Sequence, residues 1–309
     1  MGSTLTITTP RDYLFTRDLC SYGYFLLAPN VWNPTKRTFT RPYQLDDGVA
    51  TVVLTQPDDK KGGALRARAD RALSRPEQLA LRAQITRMLR LDDDGVRSFH
   101  KADPRWKRSG RGRLFRSPTF FEDLIKTVTS CNVQWPSTVT MNQRLCEVIN
   151  PAFPTPAQLR RRRPQTLRAR CRVGYRDQRM VDLARIVDSG EIDVEWLEDP
   201  SSPDEDVRQV LLSLPGIGPY AANNVMQLLG RYGHVPYDTE TIRHAKTVLG
   251  YQGSDKAIEK KVRAHYAPFG DHVFRSYWFE LWDYYENKQG PSHLWEPRVV
   301  GKAFTASKL

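Results

Sequence analysis

The stretch Leu214-Pro215-Gly216-Ile217-Gly218-Pro219 dictates a tight reversal between two helices. Upstream, Val207, Val210, Leu211 and Leu214 recur at helical spacing, with Ser202 expected as N-cap, Pro203 at the first helical position and Glu205 completing a capping box. Pro215 and Gly216 must stop that helix. Gly218 can cap the next one, which Pro219 opens and Ala221, Ala222, Val225, Leu228 and Leu229 carry to Gly230. The two glycines remove side chains where the backbone must approach something closely. The unpaired amides of the second helix then point outward beside its positive dipole end, a place suited to phosphate. By spacing alone, a plain αα turn without a ligand is the simpler reading.

Charge speaks for a polyanionic partner. The 309 residues carry 47 Lys and Arg against 35 Asp and Glu, a formal net charge of +12. Nucleic acid, an anionic membrane or an acidic protein are the partners such a balance favours. Membrane binding is the weaker option, because the bases do not line one long amphipathic helix. The charges are clustered. Arg105–Arg116 holds six basic residues and no acid, and Arg160–Arg176 holds eight arginines and no acid. Between Asp188 and Asp206 stand nine acids and no base. Each run alone could be a solvated face. Together, with Trp106 and Phe115 beside them, they point to a surface built for phosphate.

The chain falls into three zones. In residues 4–73, Leu5–Thr8, Thr38–Tyr43, Ala50–Leu54 and Ala64–Ala69 read as short strands of an antiparallel sheet, separated by turn signals such as Asp46-Asp47-Gly48. From Ser74 the period turns helical, with Leu79, Leu81, Ile85, Met88 and Leu89 as the apolar positions. Nearly everything from Pro118 to Asn287 reads as helices joined by Pro/Gly loops. The fold class is therefore α+β and mainly helical: an N-terminal sheet with its following helices (1–110), a helical domain (111–290) and a tail (291–309). Phe274, Tyr277, Trp278, Leu281, Trp282 and Tyr285 recur at helical spacing and read as core. No apolar stretch is long enough to span a membrane, and no signal-peptide core opens the chain. Cys20, Cys131, Cys146 and Cys171 are scattered, so reduced thiols in an intracellular protein are expected and no zinc or iron–sulfur site is implied.

LPGIGPYAANNV followed by HVPYDTETIRHAK resembles the helix–hairpin–helix (HhH-GPD) DNA glycosylase superfamily, whose signature couples such a hairpin to an aspartate. Phe120–Asn132 (FFEDLIKTVTSCN) and Val173–Arg176 (VGYR) are similar to the 8-oxoguanine branch, and the strand-rich zone looks like the sheet domain of the 8-oxoguanine and 3-methyladenine branches.

The resemblance implies a function and a site. The activity would be hydrolysis of the N-glycosidic bond of a damaged or mismatched base in double-stranded DNA, within base-excision repair, by a monomer that flips the base from the stack. Asp238, eighteen positions after Tyr220, falls on the aspartate. As a lone residue before a helix it would be only an N-cap; after this hairpin it becomes the anion that stabilises charge at the sugar C1′, kept ionised by the helix dipole. Tyr220 occupies the place where lyase branches carry lysine, so no Schiff base is expected and the strand stays intact. Tyr220 and Tyr175 would line the base pocket. Gly216, Ile217, Gly218, Asn132, Gln134, Trp135 and Arg176 would meet DNA, with Asn132 facing the orphaned base. The carbonyls of Leu212, Leu214 and Ile217 would hold a monovalent cation such as Na+ or K+; no other cofactor is implied. The site of action would be the cytoplasm or nucleoid of a prokaryote, or the nucleus of a eukaryote. Two rivals stand: a non-catalytic hairpin module that senses DNA structure, and a bifunctional lyase using an unaligned lysine.

Overall fold

A computed structural model describes residues 2–295. Among these residues, five strands, β1 (Thr4–Ile7), β2 (Val31–Asn33), β3 (Thr38–Leu45), β4 (Gly48–Thr55) and β5 (Leu65–Ala69), form one antiparallel sheet in the order β1-β5-β4-β3-β2. Alternation sets its faces: in β3 Phe39, Arg41, Tyr43 and Leu45 are buried, while their neighbours are partly exposed. The three-residue β2 was too short to show a period in the sequence. Phe15–Leu19 and Gly23–Leu26, inside the zone expected to be strands, are helical turns instead.

Nine longer helices follow among the described residues: α1 (Arg75–Leu89), α2 (Phe120–Ser130), α3 (Trp135–Val148), α4 (Asp177–Ser189), α5 (Asp204–Ser213), α6 (Pro219–Leu229), α7 (Thr239–Thr247), α8 (Asp255–Tyr266) and α9 (Val273–Gln289). Ser74 and Glu77 close a capping box at α1. Its Leu81, Ile85, Met88 and Leu89 are buried, but Leu79 faces solvent, against expectation. Helix α5 starts one residue later than its sequence suggests. Pro203 is the N-cap, the Ser202 hydroxyl donates to the Trp196 carbonyl (2.7 Å), and Glu205 accepts from Gln209 (2.6 Å), so no capping box forms there.

Two hydrophobic cores divide the chain differently from a linear boundary at residue 110. One joins the sheet and α1 to the later helices, from Leu228 to Trp295. The other holds Phe120 to Leu229. The chain thus leaves the first core, builds the second and returns, which a pass along the sequence cannot reveal. The start of the expected tail also belongs to the first core: Trp295 is buried against Trp282, and the Trp32 indole donates to the His293 carbonyl (2.8 Å). The rest of that tail lies outside the described residues. All four cysteines are free thiols. Among the described residues no helix is long and apolar enough to cross a membrane, and no cluster of His, Cys, Asp and Glu could hold a metal ion.

Candidate active site

The hairpin between α5 and α6 has the left-handed backbone that its first glycine permits. Gly216 has φ +77°, and a Cβ there would lie 2.5 Å from Cδ of Arg179 on α4. Gly218 has an ordinary φ of −92°, and a Cβ on it would meet nothing within 4 Å. Ile217 is buried and anchors the turn to the core. Gly218 supplies no side-chain acceptor to the first amides of α6, and Pro219 has none to offer, so the amides of Tyr220 and Ala221 remain for an outside acceptor. The other end of α6 is neutralised. Arg90 donates to the carbonyls of Gln227 (2.9 Å) and Leu228 (2.7 Å), and Arg116 also reaches Leu228 (2.9 Å). Within the turn, the Leu214 carbonyl accepts from the Ile217 amide (3.1 Å), while the carbonyls of Leu212 and Ile217 accept no such turn bond among the described residues. Free carbonyl oxygens are the donor type a hard monovalent cation takes.

A cavity of about 420 Å³ opens where the two cores meet. Asp238 and Tyr220 both line it. Asp238 is the N-cap of α7: its Oδ1 accepts from the Thr241 amide (2.8 Å) and faces the Thr241 hydroxyl (3.1 Å). The Tyr277 hydroxyl lies 3.0 Å from Thr241 Oγ1. With Thr241 donating to the carboxylate, its oxygen can accept from Tyr277, giving a directed relay that ends on Oδ1. No cation pairs with Asp238 among the described residues. Burial therefore outweighs the Thr241 bonds and raises its carboxyl above the usual range. The dipole of α7 does not win, as sequence reasoning had expected, because desolvation acts on the whole charge. Burial and the nearby Asp238 charge likewise hold the Tyr220 phenol well above its ordinary value, so it stays neutral.

The cavity walls are aromatic. The stripe expected as core on α9 is buried except for the partly buried Trp278, yet Phe274, Tyr277, Trp278, Leu281, Trp282 and Tyr285 also line the cavity. Trp278 stacks between Phe274 (5.9 Å) and Trp282 (5.4 Å), and its indole donates to the Ser21 carbonyl (2.8 Å). Tyr22 and Tyr24, which sequence reasoning missed, also line the cavity, with the Tyr22 ring 4.6 Å from that of Trp278. They are tied to α6 and α2: the Tyr22 hydroxyl donates to Asn224 Oδ1 (2.8 Å), and Asn224 Nδ2 donates to Tyr24 (3.2 Å) and Thr127 (3.0 Å). The packed run Tyr22-Gly23-Tyr24-Phe25 was the only signal available, and it lay in a zone assigned to strands. Trp135 packs closely on Gly23: a Cβ there would stand 3.2 Å from the indole ring, which would have to give by a few tenths of an ångström. Glu240 is a second carboxylate on the lining, held by Tyr285 and Arg243.

The other expected residues divide. Gln134 and the half-buried Trp135 line the cavity, and Asn132 stands exposed at the end of α2 with φ +52°. Tyr175 does not line the cavity. It is 51% exposed and lies against the guanidinium groups of Arg176 (4.4 Å) and Arg179 (5.3 Å). Arg176 is buried, and its donors serve the carbonyls of Val128 and Cys131 at the C-terminus of α2. It closes a helix end rather than presenting a charge to DNA. Most of the first arginine run is also spent internally: Arg105 pairs with Asp103 and Glu280, Arg111 with Asp283 and Glu286, and Arg113 with Asp12, while Lys107 and Arg108 are exposed. Acids distant in sequence meet it in space.

No family model matches the sequence, and no curated protein matches it. Solved structures do. The chain is similar to MBOgg1 in complex with a low-affinity DNA ligand, at 20% identity and a TM-score of 0.67 over 94% of this chain and 97% of that one. It is similar to 3-methyladenine DNA glycosylase from Archaeoglobus fulgidus (16%, 0.67, 91% and 98%). It is also similar to the Clostridium acetobutylicum 8-oxoguanine glycosylase/lyase in complex with double-stranded DNA containing cytosine opposite 8-oxoG (16%, 0.66, 93% and 98%).

Proposed function

The fold is that of the helix–hairpin–helix DNA glycosylases of the 8-oxoguanine and 3-methyladenine branches, and from this premise we propose that the protein is a monofunctional DNA glycosylase of base-excision repair. The observation that carries the reading is a carboxylate without a cationic partner, Asp238, on the wall of an aromatic cavity whose described lining contains no lysine. In the reaction the bond between C1′ and the base nitrogen breaks, and its electron pair leaves with the base. Positive charge builds at C1′, and the Asp238 anion stabilises it. Water then adds to C1′ and releases a proton, which a carboxylate with a raised proton affinity is suited to take. The product is an abasic site in an intact strand.

Stacked rings and the neutral Tyr220 phenol favour an electron-poor or cationic base, so an alkylated purine is the substrate class we assign. The hairpin amides would hold a phosphate, and Asn132 would occupy the gap left by the flipped nucleotide. The carbonyls of Leu212, Leu214 and Ile217 would steady the turn around a monovalent cation. Against a lyase stand two lysines near the site in sequence: Lys126 is buried and bonded to Glu122 (2.7 Å), and Lys246 pairs with Asp255 (3.1 Å) on the surface. A base-release screen on duplexes with single defined lesions tests the reading. Release of an alkylated purine, with strand cleavage only after alkali and no borohydride-trapped adduct, is expected. Binding without release of any base would leave the non-catalytic module, and trapping would reveal a lyase.

A further inference from the structure

The second arginine run differs from the first. Arg160 pairs with Asp188, and Arg168 with Asp177 (2.9 Å). Arg161, Arg162, Arg163, Arg170 and Arg172 are exposed and have no carboxylate partner among the described residues. The backbone that displays them is irregular. Leu167–Cys171 winds as a π-type turn, and Arg172 has φ +59°, a left-handed conformation that costs a residue with a Cβ. Such segments are frequent at functional sites.

The run is continuous with the hairpin. Arg179 lies against Gly216 and under the Tyr175 ring. Arg176, next to Tyr175, is fastened to the end of α2. The π-type turn packs against Gly174–Arg176 and against α3, where the Cys171 thiol donates to the Arg144 carbonyl (3.8 Å). Arg170 and Arg162 stand near that buried thiol, as does Arg144, which pairs with Glu147 (3.3 Å). A basic band therefore runs from the hairpin, past Tyr175, to Arg161–Arg163.

We propose that this band is a second DNA-binding surface, which grips the phosphate backbone of the duplex beyond the lesion and serves search rather than excision. The inference rests on the glycosylase reading only for the identity of the polyanion. The chemistry fits duplex backbone: unpaired guanidiniums bind phosphate without reading sequence, and the band continues a surface whose hairpin amides are already open to phosphate. Its arginines are absent from the cavity lining, so they should leave the chemical step alone.

The test compares full-length wild type with Arg161→Gln/Arg162→Gln/Arg163→Gln/Arg170→Gln on undamaged duplexes of two lengths, one covering only the hairpin and the cavity mouth, the other extending past the band. On the longer duplex the variant should bind several-fold more weakly, and its log–log salt slope should shrink by about 0.9 for each phosphate that the arginines no longer neutralise. On the short duplex it should match wild type, whereas Gly218→Ala should weaken both. Single-turnover base release at saturating enzyme should be unchanged. Equal affinity and slope on the longer duplex, or an equal loss at both lengths, would overturn the proposal, as would retained DNA binding with loss of binding to single-stranded RNA or an acidic peptide. Affinity for undamaged DNA needs no turnover, so a glycosylase reading that fails shows separately, as wild type releasing no base.

Discussion

Two arginine runs of similar density meet opposite fates. In Arg105–Arg116 the guanidiniums of Arg105, Arg111 and Arg113 turn to Asp12, Asp103, Glu280, Asp283 and Glu286, and that of Arg116 to the Leu228 carbonyl, while Lys107 and Arg108 are exposed. In Arg160–Arg176 most remain at the surface without a carboxylate partner. Composition cannot separate the two, because the deciding acids lie 101 or more residues away along the chain for most of the first run's pairs, as for Arg113 and Asp12. Charges compensated in space build structure; charges left uncompensated are available for function. Asp238 belongs with the second kind.

The largest effect expected from that division concerns Asp238. Asp238→Asn keeps the shape and the Thr241 bonds but removes the anion, and should slow single-turnover base release by roughly 100- to 1000-fold, about 2.7–4 kcal/mol. Stability should move the other way. A carboxyl whose folded pKa is raised contributes most while protonated and loses that contribution as pH rises through the folded value. At neutral pH the Asn variant should therefore melt no lower than wild type. A fall in melting temperature alongside normal base release would place Asp238 among the structural charges.

Next comes a compensated charge. Arg113 is 3% exposed in its side chain and also donates to the Arg90 carbonyl (3.1 Å). Arg113→Met should cost about 2–3 kcal/mol in denaturant unfolding, since buried acceptors lose their donor while the half-exposed Asp12 recovers water. The salt dependence of DNA binding should stay as in wild type. A reduced salt slope without destabilisation would show that the first run touches DNA after all.

A smaller effect separates Asp238 from its support. Tyr277→Phe breaks the relay at Thr241 and removes some stabilisation of the anion, so the acid limb of the single-turnover pH profile should move to higher pH. In wild type that limb should already lie above the ordinary aspartate value of about 3.9, with activity lost as pH falls through it. A limb unmoved by Tyr277→Phe would reduce Tyr277 to wall packing. The smallest effect is on stability from the surface run: Arg161→Gln should change unfolding free energy by no more than about 0.5 kcal/mol, measured by the same denaturant titration.

Much of this was legible in the residues. Leu214–Pro219 specifies its reversal through local chemistry alone, and Asp238 before Thr239 specifies a cap, because both depend on neighbours within one turn. Features set by distant partners were not. Tyr22 and Tyr24 become a cavity wall only because Asn224 and Thr127 meet them. Arg176 resembled a DNA contact until its donors proved committed to Val128 and Cys131. Tyr175 carries the aromatic character of a pocket residue but stands outside the cavity, since the Gly174–Arg176 turn is pinned by Arg176 to the end of α2. The helical period of the stripe on α9 reports burial and is silent about whether a buried face borders an empty space.

The stacked indoles of Trp278 and Trp282, continued by Trp295, and the Trp135 indole on the same cavity make the site its own optical reporter. A base that enters displaces water from these rings and stacks where their emission originates. Intrinsic fluorescence in a stopped-flow record should therefore resolve the arrival of the nucleotide from the base release we propose, with no label on protein or DNA, and Asp238→Asn should leave the first phase and slow the second.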